Sequence, residues 1–376
     1  MKTKIQTLRR TLHQFPELSG QEQQTAARIK EYLSAYPPTR MISGLGGHGI
    51  AAIYEFGNSG LTVMIRCELD ALPIQEQNAF DYCSQHMGVS HKCGHDGHMA
   101  MVAGLAPWIQ EQDFDHGRIL LLFQPAEETG QGAAEVLVDD QWCELEIDYA
   151  FALHNIPGEA LHTILLMEPG FSAEVQSFSI KLVGKTAHAS EPENGRNPAF
   201  TIAEMVQTFE HLSQPATDHP AFRLLTPVHL NLGDRSYGIS PGAGELHYTV
   251  RTWSQDGMNA LVQEIETITE QLCAKRELSY QLDWFEHFPA SANDKGANEI
   301  VRSAAQGLGL EVKVMPHPFK FGEDFGWFSR EYPAAMFGLG AGLDTPALHH
   351  ADYDFPDDLL PTGMAMFRAV IRQILA

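Results

Sequence analysis

Apolar and polar residues change rhythm along this chain, and each rhythm implies an element. From Gln21 to Tyr36, the run QEQQTAARIKEYLSAY puts Ala26, Ile29 and Leu33 on one face, the spacing of an amphipathic helix. Two β-type runs, IAAIYEF (50–56) and LTVMIR (61–66), flank GNSG, which predicts a hairpin. After them HMAMVAGLAPWI (98–109) reads as a helix, GRILLLF (117–123) as a buried strand, GAAEVLVDD (132–140) as a helix and DYAFAL (148–153) as another buried strand. Helices alternating with continuous apolar strands predict an α/β fold, a mostly parallel sheet flanked by helices on both faces.

Near residue 172 the rhythm becomes that of half-exposed strands. EVQSFSIKLVG (174–184) alternates, NPAFTIAEMVQTFEHLSQ (197–214) is an amphipathic helix, and TPVHLNLGD (226–234) and ELHYTVRTW (245–253) are strands. A second helix, GMNALVQEIETITEQLCAKREL (257–278), precedes a last strand, SYQLDWFEHF (279–288). The order βαββαβ is that of a ferredoxin-like α+β unit. Helical spacing resumes over 293–310, and the C-terminal helix lines Met364, Phe367, Ile371 and Ile374 on one face. The chain therefore divides into a discontinuous α/β domain, 1–171 and 289–376, and an inserted domain, 172–288.

Composition narrows the setting. With 376 residues, 44% of them hydrophobic, the chain can bury two cores. No apolar run reaches the roughly 18 residues of a membrane span, and the first residues lack the apolar segment of a secretory signal. Five scattered cysteines argue for a reducing compartment, and a cytoplasmic location is expected. A formal net charge of −23 with no basic cluster excludes nucleic acid and anionic membrane surfaces as natural partners.

The candidate chemistry falls where open α/β sheets collect ligands, beyond the carboxyl ends of their strands. Asp70 follows the strand 61–66, Glu127 and Glu128 follow 117–123, and His154 follows 148–153. The octet HKCGHDGH (91–98) adds Cys93 and His95, whose i, i+2 spacing in extended chain shares a face, so that one metal ion is within reach of both. Asp96 is placed to cap the helix that follows, Gly94 and Gly97 let the backbone turn, and His91 and His98 are left without a chemical role. Consecutive glutamates at a strand end diverge, so one carboxylate can bind metal while the other faces a water.

Taken together, RRTLHQFPELSGQE (9–22), ELDALPIQE (68–76), CGHDGHMAM (93–101), FQPAEETGQGA (123–133), FALHN (151–155), GKTAHASEP (184–192), GEDFGWF (322–328) and ALHHADYDF (347–355) resemble the M20 metallopeptidase family. The nearest likeness is to its amidohydrolase branch of hippurate hydrolases, N-acyl-amino-acid amidohydrolases and auxin-conjugate hydrolases. The resemblance implies a zinc-exopeptidase-like catalytic domain carrying a lid that also forms a homodimer. It implies that Cys93, His95, Glu128, His154 and His349 bind two divalent ions, with Glu127 as general base. The spacing to Tyr353 and Asp354 selects His349 over His350. Asp70 would orient a ligand from behind, His188 in the lid would polarise the scissile carbonyl, in the partner subunit's site if the lid reaches that far, and Arg251 would hold a substrate carboxylate. Gly340, in FGLGAG, would let the backbone approach substrate. The implied reaction is hydrolysis of the amide of N-acyl amino acids by a water activated at two metals. Zinc, manganese, cobalt and nickel all suit such ligands. Two other readings share the motifs: an exopeptidase cleaving peptides, and a catalytically silent ligand-binding homologue, against which the intact Glu127 speaks. Three departures stand out: Glu68-Leu69 replaces the usual Asp-Met, Gly238 replaces a lid asparagine, and SAEVQSF opens the lid in place of the usual Ala-Asp-Arg-like start.

Overall fold

In a computed structural model describing residues 2–168 and 170–376, the chain forms two compact units. The first comprises residues 1–171, 291–318 and 323–376, and the second comprises 172–290 with the short segment 319–322. That four-residue segment and residues 289–290, assigned by sequence to the first domain, cluster instead with the inserted unit.

The first unit is built on an eight-stranded sheet. Helices α1 (Lys2–Gln14) and α2 (Gln23–Ser34) are followed by β1 (Arg40–Leu45), β2 (Gly49–Phe56) and β3 (Thr62–Glu68). Then come α3 (His95–Ala103), β4 (Gly117–Gln124), β5 (Tyr149–Ile156) and β6 (Ile164–Met167). β3 is buried at every position and lies between β4 and β5, parallel to both, which is why it carries the apolar run 63–65 and pairs the charges that follow, Arg66 and Glu68, with each other. All nine residues of α3 are buried, so it has no solvent-exposed face; it packs among α1, the C-terminal helix Leu359–Leu375 and β3.

The hairpin expected between residues 50–56 and 61–66 does not form. β2 pairs antiparallel with β1 and with β4, and β4 separates it from β3. The GNSG turn spends its carbonyls on the start of β4: Ser59 O accepts from Gly117 N and Leu61 O from Arg118 N, both at 2.8 Å. It thereby steps over that strand to the next place in the sheet. The expected helix 98–109 is α3 and a separate turn, Ala106–Ile109. The strand Ala334–Gly340, parallel to β5, carried no strand signal because AAMFGLG contains no β-branched residue.

The second unit is a four-stranded antiparallel sheet in the order 279–288, 174–183, 243–252, 223–232, the ferredoxin-like arrangement expected. Phe178, Ile180, Leu182, Leu246, Tyr248 and Val250 alternate onto the face covered by helices Ala199–Leu212 and Gln255–Lys275. Among the described residues no helix is long and apolar enough to cross a membrane.

A buried ionic strut ties α1 to the octet 91–98. Asp96 does not cap α3; its carboxylate faces Arg9 Nε at 2.9 Å and His13 Nδ1 at 2.8 Å, all three side chains being sealed from solvent. Arg9 also binds Asp354, and His13 Nε2 reaches Glu76 Oε1 at 2.9 Å. Glu76 further accepts from Lys92 Nζ and Ser84 N, each at 2.6 Å. Burial works to raise the Glu76 carboxyl, but these donors hold it down at about 2, from an ordinary 4.5. A depressed carboxyl contributes stability that is complete above its unfolded value and is lost as pH falls through the folded one. Glu76→Gln is therefore expected to flatten the loss of stability between pH 4.5 and about 2, read from urea midpoints. An acid limb identical to that of the unaltered protein would contradict it.

Candidate functional site

The sheet delivers its polar residues at the carboxyl ends of β3, β4 and β5, and the local backbone aims them. β4 ends in Pro125, then Ala126 takes φ +51°, and Glu127–Thr129 form one tight turn. A left-handed alanine is uncommon. Here the buried Glu22 holds the turn, its Oε1 accepting from Ala126 N at 2.8 Å. The turn separates the two glutamates. Glu127 Oε2 lies 3.8 Å from His95 Nε2, while Glu128 Oε1 lies 3.9 Å from that atom and its Oε2 lies 3.7 Å from His349 Nε2.

Gly94 turns the octet with φ +98°, where a Cβ would collide with the Asn155 side chain. This lets Cys93 and His95 face one space. Cys93 Sγ is 3.4 Å from His154 Nε2. His154 lies inside β5, not after it, and its Nδ1 contacts the Asn155 carbonyl at 2.8 Å, which turns Nε2 toward the thiol. His95 repeats the device: Nδ1 contacts the Asp70 carbonyl at 2.9 Å and Nε2, buried, meets no hydrogen-bond partner. Glu128 Oε1 is likewise buried and unpartnered. His349, half-exposed, sits in a left-handed conformation with φ +66° and its amide on the Lys92 carbonyl at 2.8 Å.

Five side chains thus converge. The ligand-type atoms of Cys93, His95 and His154 all lie within 4.8 Å of one another, as do those of Cys93, Glu128 and His349. Cys93 belongs to both groups, which suits two neighbouring ions. The unpartnered His95 Nε2 and Glu128 Oε1, aimed into the same space, are what buried ligand atoms look like when their partner is a cation.

Electrostatics agree. Burial would lower the His95 pKa, yet hydrogen bonding to Asp70 and the charges of Glu68 and Glu128 lift it to about 10. Burial raises Glu128 to about 7 despite His95, and lowers His154 to about 3. Burial, then Glu323, Glu128 and Asp324, push Glu127 well above the carboxylate range, and burial with Glu128 and Glu127 pushes the Cys93 thiol up. Excess buried negative potential of this kind is relieved by divalent cations, which also hold a coordinating thiol deprotonated.

Asp70 stands behind these groups. Its Oδ2 accepts from Ser19 Oγ at 2.7 Å and from Glu128 N at 3.0 Å, and its Oδ1 is 3.5 Å from His95 Nδ1. Gly340, at the end of its strand, is buried, and a Cβ there would strike the Ala160 carbonyl, which accounts for the glycine by packing. In the second unit, His188 is exposed with Nδ1 2.6 Å from Ser190 Oγ. Arg251 Nη1 donates to the Lys320 carbonyl at 2.6 Å. Gly238 faces open space where a side chain would fit.

Sequence reasoning gave His98 no role, but it is buried between Glu68 Oε2 (2.7 Å) and Asn155 Oδ1 (2.6 Å). Glu68, His95 and His98 also cluster closely enough to hold an ion. Both His98 nitrogens are already engaged, so it serves as a bridge. Arg66, Glu323 and Asp324 were missed as well. A lone arginine inside the apolar run LTVMIR was the available signal, since a buried guanidinium demands acids around it.

A sheet of this topology with a thiol, imidazole and carboxylate cluster at the carboxyl ends of its strands fits a metal-dependent amidohydrolase or peptidase. The model for peptidase family M20/M25/M40 matches residues 64–373, and the chain belongs to that family. It is 34% identical over 349 residues to N-acetyl-L-cysteine deacetylase of Bacillus subtilis, covering 92% of this chain and 82% of that protein. It is 26% identical over 366 residues to hippurate hydrolase of Campylobacter jejuni, covering 96% and 94%. A solved dinuclear metal-binding M20 peptidase of Bacillus subtilis superposes with a TM-score of 0.85 at 25% identity, covering 100% of this chain and 98% of that one. The resemblance read from the motifs thus holds along the chain.

Ions that bind only the folded chain stabilise it. Chelation is expected to lower the thermal midpoint, and Glu128→Ala to lower the metal content per chain measured by elemental analysis. A protein that purifies without divalent ions and gains no thermal stability from added zinc or manganese would contradict this.

Proposed function

We propose that the protein hydrolyses the amide bond of N-acyl amino acids, with Cys93, His95, Glu128, His154 and His349 holding two divalent ions and Glu127 as the general base. The observation that carries this reading is the position of Glu127. It neighbours the convergent ligand set, with Oε2 3.8 Å from His95 Nε2, while Oε1 is occupied elsewhere, 3.4 Å from Asp324 N. A binding protein has no use for a spare buried carboxylate at that place. Relatives named for deacetylation of N-acetyl-L-cysteine and hydrolysis of hippurate, each matched over most of its length, support an acylated amino acid as substrate.

Divalent ions at this ligand set would supply Lewis acidity to the scissile carbonyl and make water nucleophilic near neutral pH. Glu127 takes the proton as the water oxygen bonds to the carbonyl carbon. As the C–N bond breaks, Glu127 passes that proton to the departing nitrogen, leaving an acid and a free amino acid. Arg251 is the proposed clamp for the amino acid's carboxylate. Its guanidinium is half-buried, burial lowers its pKa, and a backbone carbonyl is its hydrogen-bond acceptor, so its charge is open to an incoming anion. His188 is proposed, from its place in the matched motif, to polarise the carbonyl.

In steady-state assays with N-acetylcysteine and hippurate, Glu127→Ala is expected to keep its metal and lose about 10²–10⁴-fold in kcat. Arg251→Ala should instead raise KM by about 10- to 100-fold, the equivalent of about 1.5–3 kcal/mol for a charged hydrogen-bonded contact. Near-normal turnover in metal-replete Glu127→Ala would sink the assignment of the base.

The second unit is proposed to pair with its copy in a homodimer. Its strand 223–232 is an edge, and Val228 (67%), Leu230 (48%) and Leu232 (41%) are exposed along it. Apolar edges of this kind invite strand pairing. Light scattering should give a dimer that Leu230→Asp converts to monomer, and a monomeric unaltered protein would exclude the pairing.

A further inference from the structure

Arg66 is sealed from solvent in the centre of the sheet, and each of its three guanidinium nitrogens has a partner. Nη1 binds Glu68 Oε1, Nε meets Gln124 Oε1 at 2.9 Å, and Nη2 meets Glu323 Oε1 at 3.0 Å and Asp324 Oδ1 at 2.5 Å. Asp324 is held from two further sides. Gln124 Nε2 donates to Oδ1 at 2.9 Å and to Oδ2 at 2.7 Å, and Ala133 N donates to Oδ2 at 2.9 Å.

A carboxylate offers about four acceptor positions, and those of Asp324 are filled. Although its oxygens lie within 4.8 Å of those of Glu127 and Glu323, it has none left for an ion or a substrate. What remains to act is its backbone. With its side chain fixed by Arg66, Gln124 and Ala133, its amide N–H is aimed at Glu127 Oε1, 3.4 Å away. The same residue therefore grips the loop that carries Glu127 twice, at the base itself and at Ala133, six residues on.

We infer that Asp324, pinned by Arg66, is a positioning residue: it anchors one oxygen of Glu127 so that the other is directed toward the ligand cluster. This rests on the reading of Glu127 as general base. The consequence is geometric, since displacing a reacting group by about 1 Å can cost on the order of 10²-fold in rate. A role confined to folding would have a different signature. It would lower metal content or stability, and its effect would persist when Glu127 is absent.

The test is a mutant cycle with Asp324→Asn, nearly isosteric, and Asp324→Ala, each alone and combined with Glu127→Ala, using metal-replete protein and N-acetylcysteine or hippurate. The expected result is a fall in kcat of about 10²-fold, with KM and metal content unchanged and no further fall in the Glu127→Ala background. An equal loss in both backgrounds, or loss of metal, would overturn the inference. A crystal structure of metal-loaded Asp324→Asn decides independently of turnover: a shifted Glu127 carboxylate supports the inference, and an unmoved one sinks it. Full activity in Glu127→Ala would instead remove the base reading, a separate outcome.

Discussion

Buried negative charge at the carboxyl ends of the central strands is the constraint around which the first unit is built. Asp96, Glu68, Asp70, Glu127, Glu323 and Asp324 are all almost sealed from solvent. Isolated buried carboxylates are costly, and each must be paired, protonated or placed against a cation. The chain meets this demand in three ways. Arg9 and His13 answer Asp96, Arg66 answers Glu68, Glu323 and Asp324, and the group around Glu127 and Glu128 is left facing imidazoles and a thiol. The two arginine clusters are structural solutions, and the third is the place proposed for divalent ions.

This division also braces the turn that carries Glu127 and Glu128. Asp70 holds the Glu128 amide, Glu22 holds the Ala126 amide, and Asp324 holds both Ala133 and Glu127. Three of these contacts are carboxylates accepting from backbone donors and the fourth is the Asp324 amide donating to the Glu127 carboxylate, and together they brace the turn between β4 and residue 133. The imidazoles are oriented by the same economy: the carbonyls of Asp70 and Asn155 engage the Nδ1 atoms, and the Nε2 atoms point inward. The proposed chemistry, with two ions and one base, would need these distances held more tightly than loops alone would allow.

Much of this was legible in the chain. Continuous apolar runs at 117–123 and 148–153 and the change to alternation near 172 were enough for the α/β class and the ferredoxin-like insertion, because strand burial on two faces or one writes itself into the pattern. Cys93, His95, Glu127, Glu128 and His154 were candidates by residue type and place near strand ends, but their division into ligands and base, and the choice of His349, came from the motifs' resemblance to the M20 family. The β2–β3 hairpin was misread for a reason equally physical. Local turn chemistry records that the chain reverses, not whether another strand will occupy the space between. The strand 334–340 was silent since its alanines and glycines were chosen for close packing, with Gly340 against the Ala160 carbonyl, over β propensity.

The sequence by itself determined the two folds, the ligand types and the candidate base, since periodicity and residue chemistry are properties of short segments. Only the tertiary structure decided how the acids are shared out. Asp96 turned out to be a strut to Arg9 instead of a helix cap, His98 a bridge between Glu68 and Asn155, and Asp324 the holder of Glu127. Those assignments join residues up to 197 positions apart, as Glu127 and Asp324 are. Which carboxylate meets which donor depends on distances of a few ångströms across the sheet, and a one-dimensional pattern does not carry them.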